Sequence, residues 1–80
     1  MQTIFVQVKC QLGRSYAVAA AVAEQVEGVS EVYSISGHYD LMLKCHLEDD
    51  ADIGHFVTER IQTLPGIADT FTIIAFKAFT

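Results

Sequence analysis

Apolar and polar residues alternate over the first ten positions. Ile4, Val6, Val8 and Cys10 fall on one side of an extended chain, and Thr3, Phe5, Gln7 and Lys9 on the other, so residues 3–10 predict a strand. Residues 11–14 are a connection, broken by Gly13. The period then changes. Residues 15–27 (SYAVAAAVAEQVE) are alanine-rich, Ser15 suits a helix start, and Gly28 suits the position after a helix end. Ala19, Val22 and Val26 share one helical face with Val18 and with either Ser15 or Tyr16. Small side chains on that face let the helix lie close to a sheet.

Residues 28–44 (GVSEVYSISGHYDLMLK) read as two strands around a loop. Val29, Val32, Tyr33 and Ile35 precede it, Leu41, Met42 and Leu43 follow it, and Gly37 and Asp40 punctuate it. A two-residue loop at His38 and Tyr39 pairs Ser36 with Leu41, Ile35 with Met42 and Tyr33 with Lys44. Leu41, Leu43, Cys45 and Leu47 then share a face with Val32, while Tyr33, Ile35 and Met42 take the other. Two-residue hairpins favour Asn-Gly or Asp-Gly, since both central residues need positive φ, and His38-Tyr39 offers neither. A longer hairpin in which Gly37 takes the positive φ is the plain reading. A loop selected to display an imidazole, a phenol and a carboxylate is the functional one.

Residues 48–64 predict a second helix, with Glu48, Asp49, Asp50 and Asp52 capping its start and complementing its dipole. Ile53, Phe56, Val57, Ile61 and Leu64 recur at helical spacing, and Pro65-Gly66 stops the run. The last strand covers residues 67 to about 79, with Phe71, Ile73 and Ala75 on one face and Ile74, Phe76 and Ala78 on the other. At an offset of 38 positions Gly28 matches Gly66, Val29 Ile67, Glu31 Asp69, Tyr33 Phe71 and Ile35 Ile73. Two βαβ halves give an α+β, ferredoxin-like βαββαβ plait, a four-stranded antiparallel sheet with both helices on one face. The other face holds Phe5, Tyr33, Ile35 and Met42, and one face or other of the last strand adds to it. A sheet face that meets water is normally polar, so these four predict a homodimer packed sheet against sheet.

Eighty residues make one domain, residues 1–80. Hydrophobic residues make up 51 % and charged ones 19 %, apolar for so small a chain and in keeping with surface hidden against another copy. A net charge of −5 with five Lys and Arg offers no basic face for nucleic acid. The opening MQTIFVQVKC lacks the pattern of a signal peptide, and no apolar run approaches the ~18 residues of a membrane span. Cys10 and Cys45, far apart and outside any CxxC, read as reduced, buried thiols of a cytoplasmic protein. His38, His46 and His55 fit no zinc spacing, and the acids at 48–52 lack the EF-hand pattern, so no metal or cofactor is expected. Asp40 beside His38 has no nucleophile motif with it, so no catalytic residue is assigned.

Taken in order, Gly37-His38-Tyr39-Asp40, the apolar strand with Lys44, Asp49-Asp50, Leu64-Pro65-Gly66-Ile67 and Asp69-Thr70-Phe71-Thr72 resemble the Lrp/AsnC family. The likeness is to its C-terminal effector-binding RAM domain and covers nearly the whole chain. Regulators of this kind carry a helix-turn-helix, and this chain resembles the stand-alone form without it. The resemblance implies dimers built through the sheet faces, assembly into an octamer or similar ring, and amino acids bound between dimers. It points to Gly37, His38, Tyr39 and Asp40 in the loop and to Thr70, Thr72 and Ile73 on the last strand as ligand-binding residues. Asp40 suits an ammonium, and loop N–H groups suit a carboxylate. The plain readings are an Asp bonding within its own turn and two threonines chosen for β-propensity. The function implied is amino-acid binding and oligomerisation that modulates transcription by co-assembly with a full-length regulator, without catalysis and without direct DNA binding. The alternative is a small dimeric α/β-barrel enzyme of the monooxygenase or isomerase kind, disfavoured by apolar helix-facing positions. An ACT-type domain pairing side by side is a third reading. An RNA-binding plait is the weakest, for want of basic charge.

Overall fold

A computed structural model describes residues 1–80. The alternation at the start becomes β1 (Gln2–Cys10), followed by α1 (Ser15–Gln25), β2 (Val29–Ser34), β3 (Leu41–Leu47), α2 (Ile53–Phe56), a π-helical turn (Val57–Ile61) and β4 (Ile67–Ala75). The sheet order is β2-β3-β1-β4, with every neighbouring pair antiparallel. The expected ferredoxin-like plait is therefore present. The two halves of the internal repeat place β2 and β4 on opposite edges. Gly28 and Gly66, matched at the offset of 38, adopt nearly the same φ, +94° and +93°.

Ile4, Val6, Val8 and Cys10 of β1 are all buried, as the alternation requires. They meet Leu41, Leu43, Cys45 and Leu47 of β3, Val18, Val22 and Val26 from the first helical segment, and Val57 and Ile61 from the second. Every fully buried side chain is apolar or a thiol.

The chain departs from its local signals in four places. Ser15 opens α1 but does not cap it. Arg14 holds the cap position without a side-chain bond, because its guanidinium carries no acceptor, and its own N–H closes the preceding turn onto the Gln11 carbonyl at 3.0 Å. Of the four acids expected to start the second helix, only Asp52 caps it, accepting the His55 N–H at 2.9 Å. Glu48, Asp49 and Asp50 precede it in a turn, and the Gln2 side-chain amide donates to the carbonyls of Glu48, Asp49 and Ala51 at 2.9–3.2 Å. The second helix is short and widens, with Gln62 N–H donating to the Val57 carbonyl, five residues back. β4 ends at Ala75 rather than near residue 79, because Ala75 pairs with Thr3 and β1 has almost no chain left to pair with.

The hairpin register also differs. Ser34 pairs with Leu41, Tyr33 with Met42 and Val32 with Leu43, so the loop spans residues 35–40 and Ile35 lies in it rather than opposite Met42. The register moves by two residues, which leaves Val32 and Tyr33 on their expected faces and takes Ile35 out of the sheet. β1, outside the hairpin, favours this register. The Asp40 N–H donates to the Val8 carbonyl at 2.9 Å, which holds the loop's last residue on β1.

Candidate functional site

The loop at residues 35–40 is shaped by two residues. Gly37 sits at φ +103°, where a side chain would be strained. Asp40 is bound at three points. Besides its N–H on Val8, its carbonyl accepts the Ile35 N–H at 2.9 Å, and its Oδ2 accepts the Cys10 N–H at 2.7 Å. That last bond falls where β1 shifts register against β4. The plain expectation of an Asp bonding within its own turn is thus replaced by a carboxylate tying the loop to a neighbouring strand. Burial pushes the Cys10 thiol up, the bond from Ser15 opposes this, and the Asp40 charge adds to it. Asp40 Oδ1 makes no protein hydrogen bond.

Gly37 and His38 are exposed at the tip, while Tyr39 and Asp40 are half-buried. Tyr39 folds onto the open face of the sheet, its ring centroid 6.1 Å from that of Phe71 with the planes 34° apart. The last-strand candidates are divided. Thr70 and Thr72 oppose Val8 and Val6, on the helix side. Ile73 opposes Phe5, on the open side. Thr70 accepts a bond from Gln62 Nε2 at 2.7 Å, and its N–H donates to Asp69 Oδ1 at 2.8 Å. With Ile67 and Ala68 these residues line a shallow hollow of about 260 Å³. Asp40 and Thr70 flank Val8 from its two sides, one strand spacing away in each direction. The loop candidates and Thr70 therefore lie near one end of the sheet, Thr72 and Ile73 lie at its middle, and the last-strand candidates face two ways.

Two residues outside that set matter here. Phe71 carries the Tyr39 contact, and the internal repeat that aligns it with Tyr33 was a usable signal for it. Gln62 reaches Thr70 from the end of the π-helical turn, which no local pattern announces.

The open face is apolar. Phe5 and Met42 are half-buried on it, and Tyr33, Phe71 and Ile73 are 52 %, 52 % and 40 % exposed. Ile35, expected among the interface residues, is half-buried in the loop beside it. Gln7 lies between Met42 and Phe71 on this face, and a polar cluster flanks Tyr33. Tyr33 donates its hydroxyl to Glu31, whose carboxylate also meets Lys44 Nζ at 3.4 Å. These two bonds hold the Glu31 carboxyl below its usual range, and Glu31 in turn pushes the Tyr33 hydroxyl up. The histidines stand apart. His38 is in the loop, His46 Nδ1 lies 3.1 Å from Thr3 Oγ1, and His55 is 3.6 Å from Glu59. At the far end of the face a groove of about 690 Å³ runs beside Thr3, Phe5, Lys44 and His46. No helix is long and apolar enough to cross a membrane.

Comparison with known proteins agrees with this geometry. The sequence profile described as the Lrp/AsnC ligand binding domain matches residues 3–80. The HTH-type transcriptional regulator FL11 of Pyrococcus horikoshii is 32 % identical over 73 residues, 91 % of this chain and 47 % of its own. The chain spans 39–47 % of the length of such regulators. The crystal structure of TTHA0845 from Thermus thermophilus superposes with a TM-score of 0.90 at 38 % identity, covering 100 % of this chain and 99 % of that one. The structure of E. coli AsnC gives 0.85 at 25 % identity, covering 99 % of this chain and 53 % of that one. The chain belongs to the Lrp/AsnC ligand-binding domain family.

Proposed function

We propose that this chain binds a small effector, an amino acid, and couples that binding to its own assembly, modulating transcription by joining a DNA-binding relative rather than by touching DNA itself. The observation that carries the reading is the contact between Tyr39 and Phe71. It joins the Gly37–Asp40 loop, the effector candidate, to the apolar face, the pairing candidate. A ligand that moves Tyr39 changes the surface a partner meets. Asp40 Oδ1 is free for an ammonium, while Oδ2 keeps the loop in place. The open face pairs first, giving a dimer, and dimers stack into an octamer or similar ring. The net charge of −5 is unsuited to direct DNA contact. An enzyme's cleft between sheet and helices is disfavoured, because that layer is filled by apolar side chains.

The test is thermal unfolding with each of the twenty amino acids at millimolar concentration. A ligand at 100 times its Kd adds about 2.7 kcal/mol, a rise of roughly 10 °C or more in a domain this small. Asp40→Asn keeps an acceptor for the Cys10 N–H and removes the charge, so it should fold and lose the response. No shift with any amino acid sinks the effector reading. Recovery of only the homo-oligomer when the chain is mixed with a full-length Lrp/AsnC regulator sinks co-assembly.

A further inference from the structure

We propose that residues 76–80 form an arm exchanged between two copies of this chain, the Phe79 of each packing into the groove of the other beside Phe5, Lys44 and His46. The inference rests on the sheet-against-sheet pairing proposed above.

Beyond Ala75 the chain leaves the ladder and has no strand beside it. Phe76 and Phe79 are 98 % and 88 % exposed, and with Leu12 they are the most exposed of the large apolar side chains. Two aromatic rings held in water within four residues call for a cover. The groove offers one. Its volume of about 690 Å³ lies in the roughly 300–1,000 Å³ range of pockets that enclose a ligand-sized group. Phe5 supplies an apolar floor, and Lys44 and His46 supply cationic or polar edges suited to an aromatic face. Lys77 Nζ already stands 5.5 Å from the Phe79 ring, so the arm carries one such pairing with it.

The chain's own arm is not the occupant, because residues 76–78 form part of the groove's wall. A second copy fits by symmetry. Arm and groove lie at the same end of the same face. A two-fold axis that seats one arm therefore seats the other. The area agrees. The protomer exposes 5323 Å², against about 4,800 Å² expected for a monomeric protein of 8.8 kDa. The excess of about 500 Å² is a large part of the ~800 Å² that each partner buries in a standard interface. The groove is continuous with the apolar face through Phe5, so arm and face close as one surface.

Two measurements test this. A chain ending at Ala75, and the full-length double variant Phe76→Ser with Phe79→Ser, are compared with the parent by sedimentation equilibrium. Each should weaken the dimer about tenfold or more with an unchanged circular dichroism spectrum. Separately, the single variants Phe79→Cys and Lys44→Cys are mixed under mild oxidation. The native Cys10 and Cys45 are buried and do not compete, so a disulfide-linked heterodimer should appear. If the parent is a dimer, the double variant dimerises as tightly and no heterodimer forms, the arm exchange is wrong while the pairing reading stands. If the parent is a monomer at all concentrations, the pairing reading fails and takes the arm with it.

Discussion

Cys45 is fully buried opposite Ile4, and burial pushes its thiol up to about 11 from an ordinary value of 9.0. The native thiol therefore keeps its proton over a range in which the unfolded one loses it. The contribution of Cys45 is fully present below pH 9 and is lost as pH rises towards 11. Urea unfolding at several pH values in that window should show the decline, and Cys45→Val should flatten it. The remaining slope belongs to Cys10, Tyr33 and the Met1 amino group, all shifted the same way. An unchanged slope in Cys45→Val would remove Cys45 from the account. The burial of both cysteines was legible in the sequence, because each falls on the apolar phase of an alternating strand. The bond from the Cys10 N–H to the Asp40 carboxylate was not legible, because the two residues are 30 positions apart.

At the scale of elements, the loop at residues 35–40 is held by Asp40 more than by its turn residues. Asp40→Ala leaves the part-buried Cys10 N–H without an acceptor, which costs about 1–3 kcal/mol. Asp40→Asn should cost much less. Chemical denaturation of the two variants decides it, and equal small losses in both would mean the anchor contributes little. Sequence showed that this loop was unusual but placed its register two residues off. Turn preferences speak only for the two strands they join, and here β1 supplied the deciding bond. The second helix teaches the same lesson. Its apolar period was visible, whereas the π-helical turn that brings Gln62 to Thr70 was not.

For the whole molecule, the consequential feature is one sheet face left apolar. Ile73 is 40 % exposed in the protomer, so Ile73→Lys should leave the fold intact. In a face-to-face dimer the same change buries an unpaired ammonium and raises the dimer Kd about a hundredfold or more. Light scattering across a dilution series reads this directly. A dimer of unchanged affinity would show that pairing uses another surface. The face itself was legible as Phe5, Tyr33 and Met42. The share of β4 in it was open until pairing with β1 set Phe71 and Ile73 opposite Gln7 and Phe5.

By itself the sequence determined which side of β1 and β3 meets the core, the plait built from two similar halves, and the family pattern from Gly37 to Thr72. These are readable because strand and helix periods act between near neighbours, and because glycine at positive φ is a local demand. Only the tertiary structure decided the hairpin register, the end of β4 at Ala75, the Tyr39–Phe71 contact and the division of Thr70, Thr72 and Ile73 between two faces. Each of these depends on which strand lies alongside and how far it runs, and residues far apart in the chain settle that together.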